Sequence, residues 1–340
     1  MLQRGNEKMD KTILLSKQDI DTLITLDDVL DAVDKTYVGM GEGSVLNPTK
    51  VTLDLRGEIP GYDAYINAMP AYVDWTKMAG LKWAGGWHGR PAMGLPFISS
   101  MIFLLNAADG KYVAVMDGEL ITTLRTGAQA VISTTYFRQG LGRDLSIGLF
   151  GCGAQGHMQT KTFAKRFDIK QLRIYDISTE AMTAFKEEMQ NYVRGDIVIC
   201  DTPEAVASPD LDILIAFTHG SNKFITDEMV YPGQIVFPMG SFTEASDALL
   251  LNADKIIVDH IEQCMHRGAL VDVFDSGQLS EKSIFGTIGE IGAGIKEIGD
   301  LGPQRIVCVP IGTGAMDIAV AAIAYQRALE KGVGGEFCFV

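Results

Sequence analysis

Residues 145–178 read LSIGLFGCGAQGHMQTKTFAKRFDIKQLRIYDIS. Leu145 to Phe150 is an apolar run of the kind that forms a buried parallel strand. It stops at Gly151, Gly153 and Gly156, a full G-x-G-x-x-G. A helical stretch follows with Met158, Phe163 and Phe167 at apolar positions, and then a second strand, Leu172 to Tyr175, ending in Asp176, twenty positions past the last glycine. Each part has a mechanical reason. Gly151 permits the tight strand-to-helix turn, Gly153 leaves room for a pyrophosphate to reach the backbone, and Gly156 lets the helix pack on the strand. Free N–H groups and the positive end of the helix dipole hold phosphates. Asp176 can accept hydrogen bonds from ribose hydroxyls and repels a 2′-phosphate. The unit therefore predicts a dinucleotide site with NAD preferred to NADP.

Outward from this unit, strands and helices alternate: a charged helix over 179–193, then strands at 196–200, 211–218, 234–240, 255–259 and 305–310, with a helix around 226–230. The alternation predicts a Rossmann-type doubly wound parallel sheet. Residues 283–296, SIFGTIGEIGAGIK, read as a glycine-faced helix. Upstream, 17–41 reads as a helix, 50–72 as antiparallel strands around GEIPGYD, and 79–87, 98–107 and 112–118 as further strands before a helix over 120–137. A long apolar helix from Met316 to Lys331 closes the chain and is expected to pack on the first domain. The expected organisation is α/β. A nucleotide-binding domain, 126–310, is inserted in an α+β substrate and dimerisation domain made of 1–125 and 311–340. Residues 1–8 read as a disordered lead-in, with Met9 an alternative start.

Composition narrows the function class. The chain has 340 residues, 47% of them hydrophobic, and a net charge of −14. With no basic stripe, nucleic acid and anionic membranes are not expected partners. No apolar run is long enough to span a bilayer. The five cysteines are scattered singly, which points to reduced thiols in a cytoplasm. Cys152 within the glycine turn reads as a small filler. The five histidines show no zinc spacing, so no metal is expected.

Two cations stand in apolar company: Lys82 between Leu81 and Trp83, and Arg125 in ELITTLRTGAQAV. A buried cation needs an anionic partner. Either both face the cleft between domains and hold a substrate carboxylate, or they pair internally, for instance with Asp117 or Glu119. Lys50 alternates onto the face of Thr52 and Asp54 and alone reads as a solvated strand lysine. Asp317 stands where an acid suits the start of a helix.

These stretches resemble the ornithine cyclodeaminase/mu-crystallin family, and within it the archaeal-type alanine dehydrogenases. The resemblance runs from about Pro48 to Phe339, through PTKVTL, AMPAYV, AGLKW, MGLP, AVMDG with ITTLRTGA, GCGAQ, IYD and GTGAMDIAVAAIAY. It implies a two-domain homodimer joined through the sheet of the first domain. It places the catalytic lysine on Lys82, the carboxylate-binding arginine on Arg125, a further substrate-side cation on Lys50, and the acid of the last helix on Asp317, counted with the catalytic set. It places cofactor contacts on Thr126 beside Arg125, on Ala154 and Gln155 within the glycine turn, on Asp176 and Thr218, and on Val236, Phe237, Met239 and Ser241.

The sequence also departs from the family. Cyclodeaminases carry an aspartate, a general base, where this chain has Ser241; Glu244 and Asp247 are the nearby acids that could replace it. Arg90 replaces a loop asparagine and Phe97 a frequent threonine, so these two residues are expected to shape the substrate pocket. The resemblance implies hydride transfer between the Cα of an amino or imino acid and nicotinamide, as in an alanine dehydrogenase or a ketimine reductase. The alternatives are an ornithine cyclodeaminase forming proline and ammonia, and a non-enzymatic mu-crystallin-like binder of cofactor and small ligand.

Overall fold

The computed structural model describes residues 11–338 except 57, 60, 219–221 and 241–242. The expectation for residues 1–8 therefore lies outside the described residues. The chain divides into two compact units. One holds the residues up to Ala32, Ser44–Thr122 and those from Gly314 on; the other holds Val33–Gly43 and Thr123–Thr313.

In chain order β1 (Lys11–Leu15), α1 (Lys17–Leu23), α2 (Leu26–Glu42), β2 (Val45–Leu46), β3 (Val51–Asp54), β4 (Ala64–Val73), β5 (Met78–Trp87), β6 (Ile98–Asn106) and β7 (Tyr112–Asp117) lead to α3 (Glu119–Phe137). Next come β8 (Asp144–Phe150), α4 (Ala154–Arg166), β9 (Asp168–Tyr175), α5 (Thr179–Met189), β10 (Asp196–Ile199), α6 (Pro203–Val206), β11 (Ile213–Ala216) and β12 (Ile235–Pro238). The chain continues through α7 (Asp247–Asn252), β13 (Lys255–Val258), α8 (Ile261–His266), α9 (Val271–Asp275), β14 (Ile284–Thr287), α10 (Ile288–Gly292) and β15 (Ile306–Val309). It returns to the first unit with α11 (Gly314–Lys331) and β16 (Gly335–Cys338).

The first unit is built on an eight-stranded sheet in the order β16-β1-β7-β6-β5-β4-β2, with β3 on β4. Its pairs are antiparallel except β1 with β7. Residues alternate across the pleat. Met69, Lys82, Ile102 and Met116 lie in one cross-strand row on the face that α11 covers. The close approach of α11 rests on glycines: a Cβ on Gly314 would stand 2.5 Å from the Met69 carbonyl oxygen, and one on Gly80 2.5 Å from Ile318.

The second unit is an eight-stranded, wholly parallel sheet in the order β10-β9-β8-β11-β12-β15-β13-β14. The order reverses between β8 and β11, the switch point where ligands bind in doubly wound sheets. Its central strands β11, β12 and β15 are buried along their length, as a sheet covered on both faces requires.

Three expectations need correction. The single helix over 17–41 is two. Thr25 interrupts it, its hydroxyl accepting from the Asp28 N–H at 3.3 Å while its own N–H donates to the Asp28 carboxylate at 2.8 Å, so a new N-cap starts α2. Residues 283–296 are strand β14 and the short α10, because Thr287 and Glu290 form a capping box that starts a helix only there. The helix around 226–230 is one 3₁₀ turn, Asp227–Met229.

Candidate functional site

In the second unit β8 runs into the glycine turn and α4. Gly151 has φ +103°, and a Cβ there would stand 2.6 Å from the Phe217 carbonyl oxygen. A Cβ on Gly156 would stand 2.2 Å from the Gly151 carbonyl oxygen, so helix and strand close on each other only with glycine. Gly153, the N-cap of α4, is exposed and would have nothing within 4 Å of a Cβ. That open side is where phosphate oxygens can meet the first N–H groups of a 13-residue helix. Ala154 is exposed beside it, and the Gln155 side-chain oxygen is buried without a hydrogen-bond partner among the described residues.

Asp176 belongs to the same constellation. Its carboxylate accepts from the Cys152 N–H at 2.8 Å and the Ser178 N–H at 3.0 Å. These bonds aim the carboxylate and leave lone pairs for ribose hydroxyls. Ile177, next in the chain, is 95% exposed, a large apolar surface that the sequence pattern did not single out. The Cys152 thiol is buried and pushed up to about 12, first by burial and then by the charge of Asp176. That state makes it a filler rather than a nucleophile. Thr126 is fixed to the turn's helix: the Gln159 amide donates to its carbonyl at 3.0 Å, and Gly127 lies against Met158 and Thr162.

Thr218 follows β11. Its N–H and hydroxyl both donate to Glu244, at 2.6 and 2.8 Å, and the Gly240 N–H donates to the other carboxylate oxygen at 2.9 Å. Glu244 thus ties the loops after β11 and β12 together. It is fully buried, and burial raises its pKa against the pull of these donors. Asp247 accepts from Lys223 at 2.6 Å. Both acids considered as substitutes for a general base have structural partners. Ser241 lies outside the described residues. Val236 and Phe237 are fully buried residues of β12, and Phe237 stacks on Phe137. Met239, one residue past β12, is partly exposed, and its N–H donates to the Ala216 carbonyl. Arg125, 7% exposed on α3, donates from its terminal nitrogen to the Gln129 side-chain oxygen at 2.7 Å.

In the first unit Lys82 lies under α11. Its ammonium donates to both oxygens of Asp317, at 3.1 and 3.2 Å, with the two residues 2% and 0% exposed. The register explains the meeting: Gly314 abuts Met69, the cross-strand partner of Lys82, and Asp317 comes one turn later. Of the acids named as partners for internal pairing, Asp117 caps α3 through the Leu120 N–H and Glu119 pairs with Lys17. Lys50 is partly buried, directly before β3. Nearby Asn47, which the sequence reading missed, accepts from the Ala315 N–H at 3.0 Å at the start of α11.

Arg90 and Phe97 sit together near the end of β5. The Arg90 Nε donates to the Pro96 carbonyl at 2.7 Å, and its guanidinium lies 5.9 Å from the centre of the Trp87 ring. Arg90, Tyr62, Asp63, Trp87 and Met93 line a cavity of about 320 Å³. Phe97 packs edge-on against Tyr65 and His88.

All five cysteines are free. Among the described residues no cluster of histidine, cysteine and acid side chains is arranged to hold a metal ion. Among the same residues no helix is long and apolar enough to cross a membrane.

The chain is similar to known proteins along nearly its whole length. Alanine dehydrogenase of Archaeoglobus fulgidus is 28% identical over 334 residues, covering 97% of this chain and 99% of its own. Delta(1)-pyrroline-2-carboxylate reductase of Bacillus cereus is 26% identical, covering 84% and 89%. A solved archaeal alanine dehydrogenase dimer with bound NAD superposes with a TM-score of 0.89 at 28% identity, covering 97% of this chain and all of that one. The model of the ornithine cyclodeaminase/mu-crystallin family matches residues 10–332. The chain belongs to the ornithine cyclodeaminase/mu-crystallin family.

Proposed function

We propose that this protein is an NAD-dependent oxidoreductase that interconverts a small amino acid and its imine, in the manner of an alanine dehydrogenase or a ketimine reductase. The observation that carries the reading is the buried Lys82–Asp317 pair. A buried ion pair gains little stability over apolar residues of the same volume, yet this one interrupts the apolar row of Met69, Ile102 and Met116. An ammonium held in place by a carboxylate is the group such chemistry needs.

NAD is the cofactor, and when bound it accepts or supplies the hydride. The open Gly153 side, the unpartnered Gln155 oxygen and the aimed Asp176 carboxylate fit its pyrophosphate and ribose. Arg125 clamps the substrate carboxylate, which a guanidinium can grip through two parallel bonds, and Lys50 adds a second positive charge. Lys82 gives or takes a proton at the substrate nitrogen, or at the water that attacks the imine carbon. Asp317 fixes Lys82 and balances its charge. Arg90, at the cavity beside Trp87, and Phe97, packed against Tyr65 and His88, select the substrate side chain. Ser241 cannot take a proton as a carboxylate does, and Glu244 and Asp247 are engaged elsewhere. Those observations weigh against the cyclodeaminase outcome.

The open face of the first unit's sheet supports a homodimer. Val51, Ala68, Trp83 and Met101 form a cross-strand row there, with Val51, Trp83 and Met101 68%, 54% and 49% exposed.

The direct test is Arg125→Ala. Turnover of amino or imino acids should be lost while NADH still binds, measured by fluorescence titration. Wild-type turnover in that variant would sink the assignment.

A further inference from the structure

We propose that Gln129, Tyr37 and Asp259, together with the bare α-carbon of Gly312, set the direction in which Arg125 presents its guanidinium, and so are positioning residues for the substrate carboxylate. The inference rests on the reading of Arg125 as the carboxylate clamp. Gln129 lies one helical turn after Arg125 and is fully buried. Its side-chain oxygen receives the guanidinium N–H at 2.7 Å. Its amide nitrogen donates to the Tyr37 hydroxyl at 2.9 Å and reaches the Asp259 carboxylate at 3.5 Å. Asp259, 1% exposed, also accepts from the Gly312 N–H at 2.7 Å.

The polarity of this chain is forced. An ionised carboxylate only accepts and a guanidinium only donates. The amide between them can satisfy both in one orientation alone; turned over, it would set donor against donor at Arg125. Tyr37 is held as a neutral hydroxyl, because burial and then the charge of Asp259 push its pKa well up. Each bond polarises the next in a dry interior, so the negative charge of Asp259 acts on Arg125 at one remove.

Gly312 closes the arrangement from the other side. It has φ +87°, and a Cβ there would stand 2.6 Å from a terminal nitrogen of Arg125 and 3.3 Å from the guanidinium carbon. Only glycine leaves the guanidinium where it is. The network also gives Val33–Gly43 a function: this short stretch of α2 belongs to the second unit and brings Tyr37 to Gln129.

The test uses the full chain with Gln129→Leu, Gly312→Ala and Tyr37→Phe, and Arg125→Lys as the comparison. Crystal structures of the first two should show the guanidinium displaced, a readout that does not depend on which acid is turned over. Steady-state assays with NADH use Δ1-pyrroline-2-carboxylate, or pyruvate with ammonium. Gln129→Leu and Gly312→Ala should raise KM for the carboxylate roughly tenfold or more, and Tyr37→Phe about threefold, with KM for NADH changed less than about twofold. An unmoved guanidinium with wild-type KM in Gln129→Leu and Gly312→Ala would overturn the inference. If Arg125→Lys is impaired and those variants are not, only the positioning role fails. If Arg125→Lys itself keeps wild-type KM, the reading of Arg125 as the clamp fails.

Discussion

In the parallel sheet β11, β12 and β15 are buried at every residue, whereas in the mixed sheet β6 and β7, and β5 from Lys82 to Ala84, alternate between covered and open positions. The first pattern belongs to a sheet that its own helices cover on both sides. The second belongs to a sheet with one face under α11 and the other bearing Val51, Leu53, Trp83 and Met101. Contiguous exposed apolar surface of that kind marks an association face. The difference teaches that the central strands of the cofactor unit are buried within one chain, while the first unit leaves an apolar face open, the face on which the proposed homodimer would join.

The sharpest way to break the comparison is to put the same charge on each sheet. Ile215→Glu buries an unpaired carboxylate in β11, at a cost of several kcal/mol, and should unfold the second unit in thermal melts. Trp83→Glu should leave the fold intact and weaken the dimer about thirtyfold or more, as a hot-spot residue does, read by light scattering over a dilution series. A Trp83→Glu variant that stays dimeric at low concentration would show that the open face is not the interface.

The covered face of the mixed sheet gives the next effect. Lys82→Met strands the Asp317 carboxylate and should cost about 3–5 kcal/mol, whereas Lys82→Met with Asp317→Leu should recover most of that loss. Neither variant should turn over substrate. Equal melting temperatures for the single and double variants would mean that the pair is not coupled.

The smallest effect lies where α11 meets the start of α2. Arg327 donates to the Asp28 carboxylate, at 2.6 Å for one of its bonds, and to the Leu23 carbonyl at 2.7 Å. Burial pushes the Asp28 carboxyl up, but Arg327 and the Thr25 hydroxyl and N–H outweigh it and hold it below its ordinary value. A depressed carboxyl contributes stability that is present above the unfolded value and is lost as pH falls through the folded one. Arg327→Ala should therefore cost about 1 kcal/mol near neutrality and less in acid, as melts across pH would show. A pH-independent loss would assign the role of Arg327 to packing.

Much of this was legible in the sequence because its physics is local. The glycine turn, the strand before it and Asp176 lie within one short unit, and Gly156 is required by the Gly151 carbonyl five residues before it. Most central strands of both sheets could be placed because burial leaves a period-2 or uniform pattern. The misses have physical causes too. Thr25 and Thr287 are caps inside stretches whose apolar spacing suits a helix on both sides. The edge strand β16 and its neighbour β1 are short and largely exposed or half-buried, so neither shows a strong pattern. Asp317 as the partner of Lys82, 235 residues away, follows from the register of Gly314 on Met69; no sequence pattern carries that information.

The measurement that bears most directly on the account is a product-resolved redox assay. The protein is incubated with NADH and either Δ1-pyrroline-2-carboxylate or pyruvate with ammonium, and in the other direction with NAD and single amino acids. Each product is identified by mass spectrometry. The account predicts NADH consumed in step with an amino acid formed from one of the imines. Bound NADH with no hydride exchange for any amino or imino acid would contradict it.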